Sequence, residues 1–130
     1  ENKMRSTLLR ALVFAISKDP ETYKDGADGI TLSVGGTLIS GILVPHKTFI
    51  EQPQCKTLKH FSDLFDASRD PEEAAKREEE FGLEDTNFLH LKNACYYVGD
   101  KPIPANGHNY MSVHINSIDA YNMGELRVEK

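Results

Sequence analysis

The run GITLSVGGTLISGILV, from Gly29 to Val44, restricts the fold more than any other stretch of the chain. Ile30, Leu32 and Val34 alternate with Thr31 and Ser33, the period of a half-buried strand. Gly35-Gly36 suits a two-residue hairpin turn, where positive φ costs glycine little. Folding back at that pair sets Val34 beside Thr37, Leu32 beside Ile39 and Ile30 beside Gly41. One face then carries Ile30, Leu32, Val34, Ile39 and Leu43. The other still carries Leu38, Ile42 and Val44, so it needs a cover, either a helix or another subunit. Gly41 in mid-strand predicts a sharp bend, as at the corner of a small barrel.

Helical spacing of Leu8, Leu9, Leu12, Val13 and Ile16 predicts an amphipathic helix from about Lys3 to Lys18, ended by Asp19-Pro20. A polar link follows, from Glu21 to Gly29. Between Cys55 and Phe81 the period is helical again, with Leu58, Phe61, Leu64 and Phe65 as a short apolar stripe. Asp70-Pro71-Glu72-Glu73 reads as a helix start, proline in the first turn and carboxylates beside the positive end. That helix has little to bury beyond Ala74, Ala75 and Phe81, which predicts a solvated arm. Strand character resumes from Asn87 to Gly99. After a proline-rich loop, Lys101 to Gly107, it returns from Tyr110 to Ile118 and again from Asp119 to Val128.

The expectation is one domain over residues 1–130, mainly β with α (α+β). It consists of an N-terminal helix (1–19), a first β segment (29–52), an acidic helical insert (55–85) and a second β segment (86–128). The expected shape is a small, bent antiparallel barrel. Its predicted core is Ile30, Leu32, Val34, Ile39, Leu43, Leu89, Leu91, Val113 and Ile115.

Composition narrows the function. A net charge of −5 opposes general attraction to nucleic acid or anionic membrane. Between Ser62 and Asp85 stand ten acidic and three basic residues, so that segment carries −7 and the remainder +2. No stretch reaches the roughly 18 apolar residues of a membrane span. Glu1 to Leu12 lacks the order of a signal peptide. Two lone cysteines, Cys55 and Cys95, read as buried free thiols, which favours a reducing, cytoplasmic setting.

The five histidines, His46, His60, His90, His108 and His114, show no metal-ligand spacing. His108 and His114 are a weak signal across a loop and strand. Cys55 and His60 are five residues apart, which on a helix does not bring thiol and base face to face. A site assembled from His90, His114 and Asp119 is the remaining enzymatic possibility. Consecutive Glu78, Glu79 and Glu80 point in different directions and do not converge on one ion. The expectation is therefore no enzyme, with no catalytic, cofactor-binding or metal-ligating residues. Partner binding is expected at Leu38, Ile42 and Val44 on the strand, and at Phe61, Leu64 and Phe65 in the insert.

Two resemblances extend this reading. The order of helix, ITLSVGGTLISGIL, FLHLKNACYYV and YMSVHINSIDAY resembles a Sm-like barrel, of the small SH3-like kind. Gly36 and Gly41 match the glycines of the first Sm-like motif, and Asn87 stands for its asparagine. The second motif would carry an Arg-Gly pair important for RNA contact, where this chain has Asn116-Ser117. An RNA-binding module is the alternative that this resemblance implies. The chain also resembles GvpU-type gas vesicle accessory proteins, through GITLSVGGTLISGIL (29–43), FLHLKNACYY (88–97), PIP (102–104) and SIDAYNMGEL (117–126). That likeness implies a cytoplasmic accessory factor, free of catalytic residues, that governs how gas vesicles form or cluster. The partners it implies are further copies of the chain and gas vesicles or other accessory proteins.

Overall fold

The computed structural model describes residues 7–105 and 109–126. The expected helix start at residues 3–6, the loop positions Gly107 and His108, and the strand end at Val128 lie outside them. The chain folds as helix α1 (Thr7–Lys18), helix α2 (Pro20–Tyr23), strands β1 (Gly29–Val34) and β2 (Thr37–Val44), and helix α3 (His46–Ile50). Helices α4 (Lys56–Ala67) and α5 (Pro71–Glu80) follow. The chain closes with strands β3 (Phe88–Val98), β4 (Lys101–Ile103), β5 (Met111–His114) and β6 (Ala120–Met123).

The β1–β2 hairpin pairs in the register read from the sequence: Val34 with Thr37, Leu32 with Ile39 and Ile30 with Gly41. Gly35 and Gly36 both have positive φ at the turn. All strands join one antiparallel sheet in the order β4-β3-β2-β1-β6, with β5 paired to β3. The sheet is not closed. Strand β5 lies along β3 and β6 along β1, and they are linked by the 3-10 turn Ile115–Ser117 rather than by a ladder. The barrel expected from the sequence is thus an open six-stranded layer, and the strand expected from Tyr110 to Ile118 stops at His114. Lys101–Ile103, expected as loop, forms β4, because Gly99 at φ 64° allows a tight return onto β3.

Gly41 marks a bend, but the extra residue lies across from it. Ser40 pairs with Cys95 and Ile42 with Lys92, so Asn93 and Ala94 together oppose Gly41. Asn93 takes φ 52°, a conformation asparagine tolerates better than most residues. The bulged strand presses so close that a Cβ on Gly41 would lie 3.0 Å from Leu91 Cβ and 3.1 Å from the Lys92 carbonyl oxygen.

Helix α1 covers one side of this layer with Leu9, Val13 and Ile16. They meet Ile30, Leu32, Ile39, Leu43, Leu89, Leu91, Val113 and Ile115, which are all buried as expected, and Val34 packs at the margin. Each such aliphatic side chain contributes roughly 1.5–3 kcal/mol on burial. Leu8, counted in the apolar stripe of α1, points to solvent. The proline expected to end that helix does so, and Pro20 then opens the single turn α2 inside the expected polar link.

Candidate functional site

The arm between β2 and β3 differs in kind from the sheet. Helix α4 is strongly amphipathic, yet not one of its residues is buried. Leu58, Phe61, Leu64 and Phe65 are 54%, 63%, 53% and 59% exposed. Their spacing places them on one stripe about a third of the helix circumference wide. A stripe of that kind normally faces a core, and here no segment among the described residues covers it. The side turned toward the body instead carries Lys59 and Ser62, both half-buried. The guanidinium of Arg69 sits 4.3 Å from the Phe65 ring centre, and the His60 ring meets Phe61 edge-on.

Helix α5 starts at Pro71 with Glu72 and Glu73 in its first turn, and it also buries nothing. The arm is tied down at its return, where Phe81 stacks on Phe14 of α1 at 6.4 Å.

The other residues expected to bind partners fall in different surroundings. Leu38 is exposed, and it borders a groove of about 180 Å³ formed with Thr31, Leu32, Ser33, Ala120, Tyr121 and Asn122. That volume falls below the ~300 Å³ at which cofactor-sized sites begin. Ile42 is half-buried. Val44 is buried against Phe49 and Cys55. Of the two covers considered for this side of β2, a helix takes the Val44 end, since α3 and the turn after it fold over it. The sequence did not single out a further apolar surface at the far end of the sheet. Tyr96 and Ile103 are direct partners and Val98 lies two residues on, so the three share a face, and all are exposed. Their strand alternation was visible in the sequence, but which end α1 leaves bare was not.

Two polar clusters, built on the buried His90 and the buried Arg10, also escaped the sequence reading. His46 Nδ1 lies 3.2 Å from His90 Nε2, so one imidazole donates to the other. His90 also stacks on Phe49, and its Nδ1 has no hydrogen-bond partner among the described residues. Burial, reinforced by the charge that His46 can take, lowers the His90 pKa to about 3, and burial lowers His46 as well. Both rings are therefore neutral at pH 7, suited to structure rather than acid–base work. The second cluster centres on Arg10 of α1, which donates to the Thr86 carbonyl oxygen, to Asn116 Oδ1, and to Asn87 Oδ1 at 3.3 Å. Asn87 and Asn116, the two positions that the Sm-like comparison singles out, are thus both engaged by a cation of their own chain.

The remaining chemical candidates have separate partners. His114 meets Phe88 edge-on and its Nδ1 accepts from the Asn116 N–H, while Asp119 accepts the Gly35 N–H at 2.8 Å. No contact among the described residues joins either of them to His90. Cys55 and Cys95 are free and buried, and burial raises the Cys55 thiol pKa. No group of three potential metal ligands converges among the described residues, and none of the described helices is long and apolar enough to cross a membrane.

The family model described as gas vesicle protein GvpU-like matches residues 7–126, nearly the whole chain. No curated protein and no solved structure matches it.

Proposed function

This chain belongs to the GvpU-like gas vesicle protein family, and from that premise we propose that it is a non-enzymatic accessory protein that self-associates to govern gas vesicle formation or clustering. The uncovered stripe Leu58, Phe61, Leu64 and Phe65 carries the reading. Four large apolar side chains held on one helix face, more than half exposed, form a contact surface that no segment among the described residues covers. Such a face in a helix-borne arm favours helix-against-helix contact. A protein that links vesicles needs a second contact, and the Tyr96, Val98 and Ile103 face at the other end of the sheet supplies one. Vesicles enclosed in the cytoplasm would be its site of action. The RNA-binding alternative has less support, given the negative charge and the engagement of Asn87 and Asn116 by Arg10.

The test uses purified gas vesicles and the purified chain. Wild-type protein is expected to float with the vesicles and to cluster them, seen as a rise in turbidity and in particle size. Phe61→Ser is expected to reduce clustering. Protein that stays in the lower phase while the vesicles remain dispersed would overturn the proposal.

A further inference from the structure

We propose that residues 124–126 are a hinged strap that closes over the sheet face opposite α1 and controls access to it. Where β6 ends, the Gly124 N–H donates to the Gly29 carbonyl oxygen at 2.8 Å, the last rung shared with β1. The chain then leaves the edge and crosses the face. The Thr31 hydroxyl of β1 donates to the Gly124 carbonyl oxygen at 2.7 Å. The Leu126 N–H donates to Ser40 Oγ of β2 at 2.8 Å, and the Tyr97 hydroxyl of β3 donates to the Leu126 carbonyl oxygen at 3.0 Å. Hydroxyls from three neighbouring strands thus hold the backbone of the strap. Thr31 pairs with Ser40 and Ser40 with Cys95, and Tyr97 follows two residues on, so all four side chains share one face. Cys95 stands beside the two residues that hold Leu126, and it is buried.

Two glycines serve the closed strap for different reasons. At Gly124 φ is 115°, a conformation that residues with side chains rarely adopt, yet a Cβ there would meet nothing within 4 Å. That glycine makes the corner itself. Gly29 has no positive φ, but a Cβ on it would lie 2.7 Å from Glu125 Cγ and 3.1 Å from the Glu125 backbone nitrogen. That glycine is the floor on which the strap rests. The hold is nevertheless slight. Leu126, the one large apolar residue of the strap, is 38% exposed. Each hydrogen bond contributes, net of water, about as much as fixing the backbone of one residue costs. With the strap lifted, Thr31, Ser40 and Tyr97 turn to water, so no polar group is left buried without a partner. The strap therefore opens as a local unit while the core stays packed.

Cys95 reports the state of the strap in the full chain. N-ethylmaleimide labels the native protein, and mass spectrometry of the digested product separates Cys95 from Cys55. Cys55 packs against Val44 and Phe49, away from the strap, and reports general unfolding. In wild type, Cys95 is expected to react more than about tenfold slower than in the urea-unfolded chain. Gly29→Val, which fills the floor, and Gly124→Ala, which strains the corner, are each expected to speed Cys95 labelling about tenfold and to leave Cys55 unchanged. Neither position is paired with Cys95, so the effect passes through the strap. If wild-type Cys95 labels as fast as in the unfolded chain, if either variant leaves its rate unchanged, or if Cys55 speeds up equally, the strap does not control the face and the proposal falls.

Discussion

The sheet and the helical arm lie in one chain and spend their apolar residues in opposite ways. Along β1, β2, β3 and α1, leucines, isoleucines and valines interlock until most are out of reach of water. Along α4 and α5 nothing is buried, although Leu58, Phe61, Leu64 and Phe65 are as apolar as anything in the core. Apolar content alone therefore does not tell a buried helix from an exposed one. The difference lies in what stands opposite. Helix α1 has a sheet face to meet, whereas α4 extends from the α3 corner and turns its stripe outward. The first arrangement stores stability in the fold. The second leaves apolar surface in contact with water.

That contrast can be broken by mutation, beginning with the largest effect. Leu32→Ala, at a position with no exposed surface, is expected to cost about 2–5 kcal/mol of unfolding free energy, measured by urea denaturation. An unchanged midpoint would mean that the hairpin does not pack as described. Gly41→Val places methyl groups where even a Cβ would crowd Leu91 and the Lys92 carbonyl, and is expected to cost about 1–3 kcal/mol. A stable Gly41→Val protein would show that the Asn93 bulge can relax.

The next effect is one of pH, and belongs to the sheet side alone. Above pH 6.5 His90 is neutral in both folded and unfolded chains and contributes no pH dependence. Between 6.5 and about 3 the unfolded chain takes up a proton that the folded chain refuses. Stability is therefore expected to fall as the pH is lowered, by at most about 1.4 kcal/mol per unit from this residue. The window from 6.5 to 5 lies above the ordinary range of carboxylates. Within it, His90→Phe is expected to flatten the slope of the unfolding free energy against pH, and an equally steep slope would remove His90 as its source.

The smallest stability effect sharpens the comparison most. Phe61→Ser is expected to change unfolding free energy by less than about 0.5 kcal/mol, as for other exposed positions. It is expected at the same time to weaken self-association, read by light scattering. A large loss of thermal stability in dilute monomer would place Phe61 in the core and remove the contrast.

The residues also show why sequence reading reached some features and stopped short of others. The hairpin register, the alternating core of β1 and β2 and the start of α5 at Pro71 depend on neighbours a few residues apart, so their signal is local. The apolar stripe of α4 was visible for the same reason. Phe61, Leu64 and Phe65 were expected to meet a partner, but how far the fold leaves them exposed depends on where the chain sends the helix. Leu38 and Val44 lie on the same strand and read alike, yet one meets solvent and the other meets Phe49. The His46–His90 pair joins positions 44 residues apart, and Arg10 reaches Asn116 across 106, separations that no periodicity encodes. Nor did the alternation of Met111, Val113 and Ile115 reveal that the strand breaks after His114 and carries the chain to the opposite edge.

The order of residues by itself determined the period of each element, the turn at Gly35-Gly36 and the charge held by the arm. These follow from backbone geometry and side-chain chemistry acting over a turn or two. Only the tertiary structure decided which apolar faces found a partner, which edge each late strand joined and which polar groups were drawn inside. Burial is a relation between distant segments, settled only when the whole chain has packed.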